Sequence, residues 1–148
     1  MAKAIRNRPI DPSQRLAEET HSLYIRAQKN LPPAVAEFTY RKFKKIADKV
    51  PFTQSEWASI LHLSERTLQR YAKNNSSFEG IYTDRILHMQ ELIELGLAVF
   101  TTPEHFYQWL KKEKSVMGVT LNFSSLTSSR GIEETVHQLS RLQQGVYL

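Results

Sequence analysis

The sequence predicts an all-α fold. Three observations carry that expectation. Glycine and proline are few, five and six in 148 residues. Apolar residues recur three and four positions apart along most of the chain, the spacing of one helix face. Helix starts are written out at Asp11-Pro12, at Thr53 with Glu56, and at Thr102-Pro103-Glu104. There, side-chain oxygens accept the first free amides and proline takes a position that needs no N–H. A chain of this length buries a real core as one domain or two small ones.

Composition narrows the chemistry. Cysteine is absent, which excludes disulfides, thiolate nucleophiles and cysteine-ligated zinc and suits a reducing cytoplasm. No apolar run approaches a membrane span and no signal peptide opens the chain, so no membrane partner is expected. The net charge of +5 is uneven. Residues 1–75 carry 14 Lys/Arg against 7 Asp/Glu, and residues 76–148 carry 6 against 8. A basic first half fits a polyanionic partner.

The first ten residues, with Lys3, Arg6 and Arg8, read as a basic tail that touches phosphate or is simply solvated. A thin amphipathic helix follows from Asp11, with Leu16, Leu23, Ala27 and Leu31 on one face. Asn30 and Pro32-Pro33 stop it. A helix from about Ala34 to Lys49 comes next. Val35, Phe38, Phe43, Ile46 and Val50 line one face, and Arg41, Lys42, Lys44 and Lys45 crowd the other. Pro51 ends it.

Thr53 to Lys73 is the most informative stretch. Thr53 and Glu56 form a capping box. Trp57, Ala58 and Leu61 make the inward stripe of a first short helix. Ser64 caps a second, with Glu65 in its first turn and Leu68 and Tyr71 inward. Only His62-Leu63 lies between, too short for anything but a sharp turn, with Leu63 plugging the angle. The pattern resembles the helix-turn-helix DNA-binding motif. Small Ala58 stands where the helices cross closely. His62 stands where the motif usually has Gly, at a position that needs φ > 0, which histidine tolerates better than most. Ser64, Glu65, Arg66, Gln69, Arg70 and Lys73 face outward on the second helix. Arg, Gln and Lys there are the side chains that read base edges or hold phosphates, although long polar residues also line ordinary solvated helices. Lys44 and Lys45 form a basic stripe beside the motif, suited to a phosphate clamp.

Asn74-Asn75-Ser76-Ser77 is a polar break, and a division into three segments is expected: 1–30, tail and first helix; 31–77, helix-turn-helix; 78–148, a second helical domain. Thr83-Asp84 is read as the cap of a long helix reaching about Phe100. Ile86, Met89, Ile93, Leu97 and Phe100 point inward, and Leu87, Leu92, Leu95 and Val99 form a second stripe. That stripe must be covered by this chain or another. The helix from Thr102 carries Phe106, Tyr107, Trp109 and Leu110 and ends in Lys111, Lys112 and Lys114. Residues 115–129 read as loop, with a short helical turn from Phe123. A last helix spans about Arg130 to Gln144, with Val136, Leu139 and Leu142 inward, and Gly145 breaks it.

Enzyme chemistry finds no support in the pattern. His21, His62, His88, His105 and His137 fall on separate elements. No His-x-x-x-His and no glycine-rich phosphate loop occurs. No metal or cofactor is implied.

From about Leu31 to Leu148 an ordered series of short matches resembles the Xre/MbcA/ParS antitoxin family. Upstream are Leu31-Pro32-Pro33 and Leu63-Ser64-Glu65-Arg66-Thr67-Leu68-Gln69-Arg70. Downstream are Trp109-Leu110, Met117-Gly118, Phe123, Leu126, Ser128-x-x-Gly131, then Val136, Leu139, Leu142 and Gly145-Val146. Val119 replaces the family's second Gly, Asn122 its Pro and Ser124 its Asp. The resemblance implies an antitoxin whose residues 78–148 bind a cognate toxin, commonly of the NAD-consuming RES type. It implies that the complex represses its own operon by holding operator DNA. A homodimer on two half-sites is the matching expectation, in the bacterial cytoplasm and on the nucleoid when DNA-bound. The toxin-contacting residues would be Trp109, Arg141, Gly145, Val146, Tyr147 and Leu148, the last three projecting into the toxin's cleft or folding back on their own core. The alternative is a helix-turn-helix transcription regulator with a C-terminal sensor or dimerisation domain.

Overall fold

A computed structural model describes residues 37–145. The basic tail, the helix expected from Asp11, Val35 and the Val146-Tyr147-Leu148 end lie outside the described residues. Six helices follow in order: α1 Tyr40–Ala47, α2 Gln54–Leu61, α3 Glu65–Asn74, α4 Gly80–Val99, α5 Pro103–Lys111 and α6 Ser129–Gln143. Between α5 and α6 lie a two-stranded hairpin, β1 Lys114–Val116 and β2 Val119–Leu121, and a 3-10 helix, Phe123–Thr127. The protein is mostly helical, with its helix-turn-helix ahead of a further helical part.

The helix expected from Ala34 starts later, at Tyr40. Phe38 and Thr39 are drawn into an extended pairing instead. Thr39 bridges Ser77, Tyr40 N–H donates to Ser76 O at 2.9 Å, and Phe78 N–H donates to Phe38 O at 2.8 Å. Those bonds satisfy backbone groups that one more helical turn would have served. They also bring in Phe78, whose ring lies 5.5 Å from Phe43 and 5.0 Å from Tyr71.

The long helix begins before its expected cap. Glu79 is the N-cap residue, in extended conformation, and contributes no side-chain cap bond. Thr83 sits one turn inside, and its hydroxyl donates to Phe78 O at 3.4 Å. Burial of Phe78 just upstream decides where the helix starts, ahead of the better capping residues downstream.

The stretch after α5 was expected as loop. Lys114 to Val116 instead pair antiparallel with Val119 to Leu121. Met117 and Gly118 turn the corner at φ 50° and 81°, the twist a two-residue hairpin needs. The helical turn from Phe123 is present. Asn122 N–H donates to Ser125 Oγ at 3.1 Å, and the Ser124 hydroxyl donates to Asn122 Oδ1.

Ser128 caps α6, accepting Gly131 N–H at 3.0 Å. The spacing of Ser128 and Gly131 has a second cause: a Cβ on Gly131 would lie 1.8 Å from Ser125 O. The inward face of α6 is rotated from expectation. Ile132, Thr135, Gln138 and Leu139 are buried, while Val136 and Leu142 are half-buried.

One hydrophobic core runs through the described residues, from Phe43, Trp57 and Leu68 through Met89 and Ile93 to Phe106, Leu126 and Leu139. Phe52 is a junction in it, with ring centroids 5.3 Å from Trp57, 5.6 Å from Tyr107 and 5.0 Å from Phe123. α4 packs chiefly along α6. Leu92 of the second apolar stripe is buried, whereas Leu87 stays 44% exposed.

Candidate nucleic-acid and partner interfaces

The helix-turn-helix is built from local signals. Thr53 Oγ1 accepts Glu56 N–H at 3.1 Å, and Glu56 Oε2 receives Thr53 N–H at 3.4 Å. The capping box is complete. His62 ends α2 at φ 56°, ψ 36°, and Leu63 N–H donates to Ala58 O at 2.9 Å. That i−5 bond closes the helix end in the left-handed C-terminal motif. Ser64 Oγ then accepts Thr67 N–H at 3.0 Å and donates to Thr67 Oγ1 at 2.8 Å. Trp57, Ala58, Leu61 and Leu68 are buried, and so is Ile60, which periodicity alone did not single out.

The outward set is outward. Ser64, Glu65, Arg66, Gln69, Arg70 and Lys73 are all exposed on α3 or at its cap. The Ser64 hydroxyl is occupied by its capping bonds. Arg70 lies 6.0 Å from the Tyr71 ring. Lys44 and Lys45 are exposed in the last turn of α1, and Lys44 lines an open groove with Asp48, Gln54 and Trp57. Asn75 ties α1 to α3: it ends α3 at φ 46°, and its side-chain oxygen accepts Arg41 N–H at 2.9 Å. The arrangement fixes the tilt of a polar, cation-bearing helix above a buried floor.

Two sets of polar contacts join the motif to later elements. Glu56 Oε1 receives Tyr107 O–H at 2.6 Å and Lys111 Nζ at 2.8 Å. Burial, aided by the bond to Glu56, raises the Tyr107 phenol above its ordinary pKa, and the same carboxylate raises Lys111. Farther along, the Thr127 carbonyl accepts from His62 Nε2 at 2.6 Å and from Arg85 Nη1 at 2.9 Å. His62 therefore carries its proton on Nε2 there. Neither set was legible by motif, since the partners stand 51, 65 and 42 residues apart.

Of the expected toxin-contacting residues, Trp109 is half-buried, 5.4 Å from Phe100. Its ring carries Lys114 Nζ at 4.2 Å, and that ammonium donates to Trp109 O and Lys112 O, both at 2.7 Å. Lys114 thus closes the carbonyl end of α5. Burial pushes it down to about 8, against the pull of the carbonyls and the ring. Arg141 is half-buried in the last turn of α6, and Gly145 is exposed at φ 77°. Trp109 and Arg141 stand on different helices, and the structure describes no contact between them. Among the described residues no three His, Asp or Glu side chains gather to hold a metal ion, and no helix is long and apolar enough to cross a membrane.

Comparison with known proteins places this geometry. Residues 31–90 match the model of the antitoxin Xre-like helix-turn-helix domain. The fold is similar to that of a chain in the crystal structure of the M. tuberculosis MbcT-MbcA toxin-antitoxin complex. The TM-score is 0.59 at 11% identity, over 72% of this chain and 94% of that one. No curated protein sequence matches. Residues 31–90 thus match an antitoxin Xre-like helix-turn-helix domain, and the chain shares its fold with a chain of that complex.

Proposed function

We propose that the protein is the antitoxin of a toxin–antitoxin pair. It binds and silences a cognate toxin of the RES type through residues 78–148 and represses its own operon through residues 31–77. The observation that carries the reading is the Xre-like helix-turn-helix, whose second helix presents Arg66, Gln69, Arg70 and Lys73 to solvent. It stands in a fold shared with a chain from a toxin–antitoxin complex. Base reading falls to Arg66, Gln69 and Arg70, and phosphate contact to Lys44, Lys45 and Lys73. Two copies, paired directly or through the complex, place two such helices on half-sites about 34 Å apart. The activity is stoichiometric binding in the cytoplasm and on operator DNA, with no catalysis and no cofactor.

Toxin contact centres on Trp109, Arg141, Gly145 and the Val146-Tyr147-Leu148 end, an apolar and aromatic plug beside an arginine. Deleting Val146 to Leu148 tests it. The truncated protein should keep its helical content and operator binding and should fail to protect cells expressing the toxin. Full protection by the truncated chain would refute the plug, and loss of folding would show that these residues serve their own core.

A further inference from the structure

The groove between α4 and α6 is a trough of about 440 Å³ that the assigned sites do not use. Ile132 and Val136 line it, and Glu91 and His88 of α4 and Glu133 and His137 of α6 complete its apolar and polar lining. No Lys or Arg lines it. Glu91 and Glu133 are exposed and form no ion pair among the described residues. Arg85 reaches the groove's Ser129 at 3.3 Å, but its guanidinium is also committed to the Thr127 carbonyl at 2.9 Å. The trough is partly open to solvent, unlike the enclosed pockets that bury most of a small ligand. Two carboxylates with an apolar lining make a specific demand. They suit a side chain with a methylene stem and a cationic head, which buries the stem and extends the charge to the rim.

We propose that this groove receives an arginine or lysine side chain presented by the partner toxin. The inference rests on the antitoxin reading and names a contact that reading did not include. It lies on the same helix as Arg141, one turn before it, so a toxin held at the end of α6 would reach the groove without a second docking event. Arg141 and the groove carboxylates would meet opposite charges on the partner. That alternation fixes register as well as affinity.

The test uses the full chain and, as probe, the protein encoded by the adjacent reading frame. Binding is measured by calorimetry at low and at physiological salt. Glu91→Lys with Glu133→Lys should weaken binding at least 100-fold and leave helical content, melting temperature and operator affinity unchanged. Glu91→Gln with Glu133→Gln should weaken it at least tenfold and flatten its salt dependence. Glu94→Lys with Glu104→Lys makes the same net charge change outside the groove and should stay within threefold of the parent. Parent-like affinity in the groove variants, or an equal loss in the control, overturns the groove assignment while the antitoxin reading stands. No binding by the parent chain overturns both.

Discussion

Gly96 and Phe106 occupy the same space. A Cβ built on Gly96 would lie 2.3 Å from two atoms of the Phe106 ring, and Phe106 is fully buried. α5 can close on α4 only because Gly96 lacks a side chain. Gly96→Ala should therefore destabilise the protein by about 2–3 kcal/mol, the cost of overpacking a filled core. Denaturant unfolding measures it. A stability within experimental error of the parent would show that the ring has room to move.

Glu56 serves both its own helix and α5. Glu56→Ala removes half the capping box and the acceptor of Tyr107, and should cost about 2 kcal/mol. Tyr107→Phe should cost about 1–2 kcal/mol, since its hydroxyl bonds a charged group. Lys111→Ala should cost less than either, because Lys111 is half exposed and its ion pair is screened. The ranking, read from unfolding midpoints, is the result to check. A Lys111 variant as damaged as the Glu56 variant would contradict it.

On operator DNA, Arg66→Ala or Gln69→Ala should cost roughly 1–3 kcal/mol on the specific site and relax preference at the base it reads. Lys44→Ala should weaken all sequences alike and reduce the salt slope by about one. Fluorescence anisotropy on operator and scrambled duplexes separates the two effects. An Arg66/Gln69/Arg70 triple alanine variant that keeps operator affinity would remove α3 as the reading helix.

Lys114 gives a dependence on alkaline pH. Its folded pKa of about 8 lies below the 10.5 of the free side chain. Between those values the unfolded chain holds a proton that the folded chain has released, so stability rises with pH. The contribution is flat below about pH 8 and complete above about 10.5. The stability difference between the parent and Lys114→Met should therefore increase in the parent's favour across that window. Unfolding at a series of pH values reads it, and a difference that falls with pH would contradict the assignment.

The local machinery was legible in the residues alone. Thr53 with Glu56, His62 at positive φ and Ser64 as a cap are all present as read. Each depends on residues within about four positions, and a short-range hydrogen bond costs little chain entropy to close. The buried stripe of Trp57, Ala58, Leu61 and Leu68 follows from helical spacing alone, and the outward face of α3 follows with it. The existence of the other described helices was legible for the same reason.

Where several elements begin, and what joins them, depends on long-range contacts. α1 starts at Tyr40 because Phe38 and Thr39 pair with Ser76 to Phe78, nearly forty residues on. α4 starts at Gly80 because Phe78 is buried against Phe43, although Thr83 and Asp84 are the better caps. The hairpin after α5 has strands of three residues, too short to show an alternating pattern. It is held by pairing and by packing against α6. Phe52 joining Tyr107 and Phe123, and Glu56 joining α2 to α5, link residues more than 50 positions apart. Such contacts exist only once burial of the shared core has already brought the segments together, and no local pattern records that choice of neighbour.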